Sequence, residues 1–220
     1  RAAARGEYVA ICEGDDYWID KRKLSRQVSI LESNKHIVLC STSFKICDQG
    51  GVIRKRKCKP PEKVRLKDIL ASNSIATCTC LYRNIIQIED IPRELMNLWY
   101  FDYVLWTLLL EKGYGIQIPR FTSVYRINRT GLAQSTEVQR KIMDIEKRYA
   151  FLLERYPSNF RKYCQKGKNS SYINISWSLK TNDLAMAKRI LSKCSSPLAS
   201  ISSFIKYIIM QLIFRFQKAD

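Results

Sequence analysis

Short apolar runs of strand type alternate with helical patterns through residues 1–135, and this alternation limits the fold more than any other feature of the sequence. The run EYVAIC (7–12) comes first and leads into an acidic loop. A helix is predicted next over 21–34, with Leu24, Val28 and Leu31 on its apolar face and Asp20 as its cap. The order strand, acidic loop, helix is typical of α/β proteins.

The elements that follow continue the alternation. The turn signal DQGG lies between two strand-type runs and predicts a β-hairpin or a β-excursion, and Gly113 is predicted to end an apolar helix. Strand-type patterns cover residues 36–44, 52–56, 74–82, 116–118 and 122–127, and helical patterns cover 64–70 and 103–112. Together these patterns predict an α/β domain with a sheet flanked by helices.

From Glu137 onward the hydrophobic period is helical. One long amphipathic helix is predicted to end before Pro157, with an apolar face formed by Val138, Ile142, Ile145, Tyr149, Leu152 and Tyr156. The polar stretch KGKNSS (166–171) predicts a break, followed by a helical hairpin across 180–182. The apolar segment 201–216 is too short and too charged to span a bilayer, and either interfacial contact or core packing would suit it. The sequence therefore divides into an α/β domain over 1–135 and a helical region over 136–220.

The chain is strongly basic, with a formal net charge of +18 and a pI near 9.7, which favours an anionic partner. The basic residues are spread out and no nucleic-acid-binding motif is present, so we expect no nucleic-acid partner. Eight cysteines without a close framework indicate a reducing cytosol. The pair Cys78 and Cys80 is interpreted as structural thiols, because alternate residues of a strand point the same way without forming a metal site.

The acidic loop carries Glu13, Asp15 and Asp16 directly after the first strand. Ligands of open α/β sheets gather at the carboxyl ends of strands. Clustered carboxylates repel one another unless a cation is present, and Mg²⁺ or Mn²⁺ binds through one or two carboxylates plus substrate phosphates. A metal-diphosphate site is one interpretation of this loop, and an exposed acidic loop beside a helix cap is the other.

The stretch ARGEYVAICEGDDYWIDKRKLSRQVSILESN resembles the middle of the family 2 glycosyltransferases, whose run A-x-G-x-Y-[IV]-x-x-x-D-x-D-D-x-W precedes a K-L-x-x-Q helix. Three further segments resemble that family in the same order: IATCTCLYRN, FDYVLWTLLLEKGYGIQIP and SVYRINRTGLAQS. The resemblance implies a GT-A fold, with a Rossmann-like mixed sheet flanked by helices, followed here by an α-helical C-terminal extension.

The resemblance also implies a function: metal-dependent, inverting transfer of a sugar from a nucleotide donor, UDP-linked by expectation, in cell-surface polysaccharide biosynthesis. The acceptor would be a glycan or a lipid-linked sugar. Glu13, Asp15, Asp16 and Arg126 would bind the donor, with Asp15 and Asp16 holding Mn²⁺ or Mg²⁺. Asp102 would be the general base. The structural alternatives are a helix cap for Asp102 and a solvated strand arginine for Arg126.

The sequence departs from the family pattern in three ways. Glu13 stands where Asp is commoner, and Asn128 replaces a histidine. The family's opening strands and first nucleotide-binding segments have no counterpart, so we expect a fragment that lacks its first strands. A second hypothesis is therefore a degenerate, transferase-like basic module that acts as a peripheral membrane or scaffold protein. Either hypothesis predicts a cytoplasmic chain with access to the anionic membrane face.

Tyr17 and Trp18 are candidates to line the donor or acceptor pocket, and helix packing is the alternative for Trp18.

Overall fold

The structure, a computed structural model, describes residues 4–48, 51, 53–55, 62–98, 100–127, 137–179 and 184–195. The chain forms two compact units. The first comprises Arg1–Ile69 and Asn73–Thr136, and the second comprises Leu70–Ser72 and Glu137–Asp220. Separate roles for residues 1–135 and 136–220 stay a prediction.

The first unit is built on a mixed sheet. Its strands within the described ranges are β1 Tyr8–Ala10, β2 Tyr17–Trp18, β3 Ile37–Cys47, β4 Ile53–Lys55, β5 Lys63–Val64, β6 Leu81–Arg83 and β7 Tyr114–Arg126. The order is β1-β6-β3-β7-β2, with β4 paired to β3 and β5 paired to β7. The long strands β3 and β7 run parallel, and the other pairs are antiparallel.

The first unit contains the helices α1 Lys23–Ser33 and α3 Phe101–Glu111, and the helix α2 Leu66–Ala71 begins in this unit, while its last two residues belong to the second. Helix α1 packs on the sheet through a core that includes Leu31, Ile37, Cys40 and Leu81. Helix α3 is buried along most of its length, and its Trp106 meets Tyr82 of β6 edge to face at 5.7 Å between ring centroids. The predicted α/β class is confirmed, whereas the GT-A assignment stays a prediction.

Several local predictions are confirmed. The predicted helix over 21–34 is α1, and the helix over 103–112 is α3. The hairpin around DQGG pairs Cys47 of β3 with Ile53 of β4. Gly51 has a φ of 77°, which only glycine adopts without strain, and its N–H donates to the Asp48 carbonyl. Gly113 follows α3, and a Cβ there would lie 2.2 Å from the His36 carbonyl oxygen, so close backbone approach requires glycine.

Two strand predictions are wrong. Most of residues 74–82 is not a strand: Thr77–Thr79 form a 3₁₀ turn, and within this range only Leu81 and Tyr82 belong to a strand, β6. The runs 116–118 and 122–127 belong to one strand, β7, because pairing with β3 resumes after Pro119 and Arg120 with a shift of register. Proline has no N–H for a ladder, so a bulge at this position lets the strand continue.

The predicted face of α1 is confirmed at Leu31, which is buried, and at Val28, which packs against the core, but it is wrong at Leu24, which is 37% exposed. The polar residues Lys23 and Gln27 are buried beside this face. Their polar ends are bonded to each other, and Gln27 also donates to the Cys40 and Thr79 carbonyls. Asp20 is not the capping residue: its Oδ1 accepts the Arg22 N–H at 2.9 Å, in the turn before the helix.

The second unit contains α4 Val138–Arg155, α5 Arg161–Ser178 and α6 Leu184–Leu191. Helix α4 confirms the long amphipathic helix, with Ile145, Tyr149 and Leu152 buried. The predicted break at 166–171 is wrong, because α5 runs through it. Within the stretch 166–171, Lys168 Nζ forms an ion pair with Glu146 of α4 at 2.6 Å, so this charge is paired inside the second unit.

Residues 180–183 and 201–216 lie outside the described residues. Among the residues that are described, no helix is both long and apolar enough to cross a bilayer.

Candidate active site

The acidic loop is a tight connection between two short strands. It leaves β1 after Ala10 and enters β2 at Tyr17, and the Asp16 N–H donates to the Glu13 carbonyl at 3.0 Å. Strand β2 then pairs with the end of β7, Tyr17 opposite Val124. This pairing brings the loop beside the last residues of β7.

Asp16 is held at that junction and is only 9% exposed. Its Oδ1 accepts the backbone N–H of Arg126 at 2.9 Å, whereas its Oδ2 has no hydrogen-bond partner within the described part of the chain. Burial raises the pKa of Asp16, and the Arg126 N–H and the neighbouring Cys78 thiol oppose that shift. A buried carboxylate oxygen without a donor favours a cation or a proton beside it.

Glu13 connects the loop to Asp102. Desolvation raises the pKa of Glu13 to about 7, and the carboxylates of Asp16, Asp102 and Asp15 add to the shift. Asp102 therefore lies in the same negative cluster as the loop, although it is far away in the sequence and begins another element.

Asp102 occupies the first turn of α3 rather than the capping position, so the alternative role of a helix cap is wrong. The residue before the helix is Tyr100, which has a left-handed conformation with φ 69° and ψ 42°. Thr77 Oγ1 of the 3₁₀ turn donates to Asp102 Oδ2 at 3.3 Å. A carboxylate in the first turn of a helix also faces the favourable end of the helix dipole.

Arg126 lies at the other side of the loop. Its side chain is exposed, and its guanidinium carbon lies 5.4 Å from the centre of the Tyr17 ring. Its charge lowers the pKa of Asp16. An exposed guanidinium near the buried Asp16 carboxylate is available to an anionic ligand, which fits the donor-binding prediction without testing it.

Trp18 and Cys78 join the loop to the 3₁₀ turn. Trp18 Nε1 donates to the Cys78 carbonyl at 2.9 Å, and Lys23 Nζ lies 4.7 Å from the centre of the Trp18 ring. The helix-packing interpretation of Trp18 fits these contacts. Cys78 and Cys80 are buried free thiols whose pKa burial raises, although Cys78 lies in the 3₁₀ turn and Cys80 follows it, so the two do not share one strand.

Sequence reasoning missed three residues that the structure brings to this site. Thr77 and Cys78 adjoin Asp102 and Asp16, and the hydroxyl of Tyr125 lies near the cluster. Burial raises the pKa of Tyr125 to about 12, with further contributions from Tyr100, Asp16, Glu13 and Asp15. These residues lie in the segments IATCTCLYRN and SVYRINRTGLAQS, which resemble family motifs. Their position within those motifs is the sequence signal that could have identified them.

The donor set suits a hard divalent cation. Asp15 and Asp16 supply carboxylate oxygens, and the orphaned Oδ2 of Asp16 is the kind of atom that such a cation satisfies. No group of three or more His, Cys, Asp or Glu side chains among the described residues forms a candidate metal site by itself. Mg²⁺ and Mn²⁺ sites that also use substrate phosphates need only one or two protein carboxylates.

The first unit is thus an α/β domain with a carboxylate cluster assembled from a strand-end loop and a helix N-terminus. No protein-family model matches the chain. The chain is 33% identical, over 144 residues, to an uncharacterized protein of Mycobacterium bovis and to one of Mycobacterium tuberculosis, covering 64% of this chain and 40% of each relative.

A further relative has a stated activity. Over 122 residues, 56% of this chain and 46% of the relative, the chain is 28% identical to the UDP-Glc:alpha-D-GlcNAc-diphosphoundecaprenol beta-1,3-glucosyltransferase WfaP of Escherichia coli. The chain spans less than half the length of these curated relatives. The similarity to WfaP indicates a relationship to a glycosyltransferase.

Proposed function

We propose that this chain forms part of a family 2 glycosyltransferase with a GT-A fold, acting in cell-surface polysaccharide biosynthesis. It transfers a sugar from a nucleotide donor, UDP-linked, to a glycan or lipid-linked acceptor with inversion. The observation that carries the proposal is that Asp16 and Asp102, which lie in separate segments, both act through their charge on the Glu13 carboxyl and raise its pKa. Two segments separated in sequence supply the two kinds of carboxylate that such a transfer requires.

Asp102 is the proposed general base. Its carboxylate would accept the proton of the acceptor hydroxyl as the new glycosidic bond forms, which requires the hydroxyl within about 3 Å. The Thr77 hydroxyl holds one oxygen of Asp102 at 3.3 Å and so limits the orientation of the carboxylate. Glu13 and Arg126 would contact the donor from the two sides of the loop.

Asp15 and Asp16 are the proposed ligands of Mn²⁺ or Mg²⁺. When bound, the cation would neutralise the diphosphate that leaves with the nucleotide. Asp16 suits this role because the Arg126 N–H fixes one carboxylate oxygen, and Oδ2 has no donor among the described residues. The exposed Arg126 side chain would contribute positive charge beside the same diphosphate.

The name of WfaP supports the choice of substrates. That protein is described as using UDP-Glc and an acceptor linked to diphosphoundecaprenol. By analogy we propose a UDP-sugar donor and a lipid-linked acceptor here, and work at the cytoplasmic face of a membrane. The net charge of +18 suits an anionic membrane surface.

The same charge supports the second candidate, a degenerate transferase-like basic module that binds membranes or scaffolds other proteins. Asn128, in place of the family's histidine, favours this candidate, although the residue lies outside the described part of the structure. The two candidates differ in one measurable property, which is donor turnover.

The test is Mn²⁺-dependent hydrolysis and transfer with a panel of UDP- and GDP-sugars, using the longest product that the gene encodes. Asp15→Asn and Asp102→Asn should each lower turnover by at least about 100-fold, the scale of a lost catalytic group. Glu62→Gln, an exposed carboxylate of the same unit, is the matched control and should keep full turnover. A folded wild type that turns over no donor would favour the basic module instead.

A further inference from the structure

The side chain of Gln27 is completely buried in α1, and its amide joins two separate segments of the first unit. Nε2 donates to the Cys40 carbonyl of β3 at 2.7 Å and to the Thr79 carbonyl of the 3₁₀ turn at 2.9 Å. Both amide hydrogens are therefore used, one for the sheet and one for the turn.

Lys23 determines which way this amide faces. Its Nζ donates to Gln27 Oε1 at 2.8 Å, and both side chains are buried on the same face of α1. A cation at the oxygen end of the amide directs the NH₂ end toward the two carbonyls, because the reversed amide would place its hydrogens against the ammonium.

The turn Thr77–Thr79 is also held through a second carbonyl, that of Cys78. The Cys78 carbonyl accepts from Trp18 Nε1 at 2.9 Å and from Ser123 Oγ at 2.8 Å. Backbone bonds inside so short a turn are few, so these side-chain donors set its position. Gln27 is the donor that reaches the turn from α1.

The side chains of this turn face the carboxylate cluster. Thr77 Oγ1 donates to Asp102 at 3.3 Å, and the Cys78 thiol lies near the Asp16 carboxylate. A displacement of the turn would therefore move the Thr77 hydroxyl from Asp102 and the Cys78 thiol from Asp16 together.

We infer that Gln27 is a positioning residue, which holds the turn Thr77–Thr79 against β3 and thereby orients Asp102 through Thr77. It contacts no reacting atom. The anchoring stands on the hydrogen bonds alone, while the consequence for transfer rests on the proposed function. Lys23 is a second positioning residue, because it orients the Gln27 amide.

Thiol labelling tests the anchoring without any need for activity. Gln27→Met keeps a long unbranched side chain and removes both donors. Labelling of Cys78 and Cys80 by iodoacetamide, read by mass spectrometry, should then accelerate by at least about tenfold as the turn opens. Cys164, buried in α5 of the second unit, should label at the wild-type rate.

The matched control is Val28→Ala, a partly buried neighbour on the same helix that packs against the core and bonds to nothing in the turn. It should leave the ratio of Cys78 to Cys164 labelling unchanged. Unchanged Cys78 labelling in Gln27→Met would overturn the anchoring, as would equal acceleration of Cys78 and Cys164, since that would mean general loss of stability.

Kinetics test the consequence for transfer in the longest product of the gene. Gln27→Met should lower kcat by about tenfold and raise the donor KM by a smaller factor, because Asp102 is bonded to the turn through Thr77 whereas Asp16 keeps its bond to the Arg126 N–H. If Gln27→Met opens the turn in the labelling assay but keeps the wild-type kcat, the inferred link between the turn and Asp102 is overturned. If the wild type transfers no sugar, the proposed function fails, and the labelling ratio still decides the anchoring.

Discussion

Gly167→Ala is expected to destabilise the second unit, although glycine to alanine inside a helix normally stabilises. Gly167 lies within α5 and is buried. A Cβ at this position would lie 2.1 Å from the Leu70 carbonyl oxygen and 2.5 Å from the Tyr149 hydroxyl oxygen. Both neighbours belong to the same compact unit, so the overlap is internal to it.

The magnitude follows from two opposing effects. Alanine is favoured over glycine in a helix interior by about 1 kcal/mol. Overpacking a filled site costs about 1–3 kcal/mol, and the upper end applies here because the nearer obstacle is backbone, which cannot rotate away. The net expectation is a loss of about 2 kcal/mol in the free energy of unfolding.

Urea unfolding followed by circular dichroism measures this difference. The control is Asn174→Ala, at an exposed position on the same helix, which should raise stability by a few tenths of a kcal/mol through helix propensity alone. If Gly167→Ala proves as stable as the control or more so, the packing of α5 against the Leu70 carbonyl is refuted.

Two further predictions concern the site. Because the pKa of Glu13 is about 7 in the folded chain, against 4.5 for a free side chain, the folded state binds this proton more tightly. The wild type should therefore lose more stability than Glu13→Gln as the pH rises from 5 to 8 in thermal melts, and equal losses would contradict the shift. Trp18→Phe and Ser123→Ala should each cost about 1 kcal/mol in urea unfolding, and the double variant more than their sum, because the buried Cys78 carbonyl then loses both donors. Additive costs would mean that other donors satisfy it.

The outcome for the helices shows what hydrophobic period can establish. Helices α1 and α4 were predicted from a hydrophobic repeat near 3.6, which is a property of the local sequence, and α3 was predicted from a continuous apolar run that Gly113 ends. Their contacts were less predictable. The buried face of α1 includes Lys23 and Gln27, because partners on distant segments satisfy their polar ends. No periodicity in the sequence reveals such partners.

The candidate site divides in the same way. Glu13, Asp15 and Asp16 stood out in the sequence as an acidic loop at a strand end, and Asp102 followed from a motif resemblance. That Asp102 adds to the raised pKa of Glu13, and that Thr77 bonds to Asp102, depends on the packing of α3 and the 3₁₀ turn. These are long-range contacts, which local sequence does not encode.

The sequence by itself determined the α/β class, the helices α1, α3 and α4 and the acidic loop, because composition and period act over a few neighbouring residues. The tertiary structure alone decided that α5 passes through KGKNSS and that Thr77–Thr79 turn instead of extending. It also decided that one oxygen of Asp16 has no donor among the described residues. Those outcomes depend on which buried groups meet across the fold. The groups that contact a buried glycine, or that bond to a buried carbonyl or carboxylate, lie far away in the chain, and only the folded arrangement identifies them.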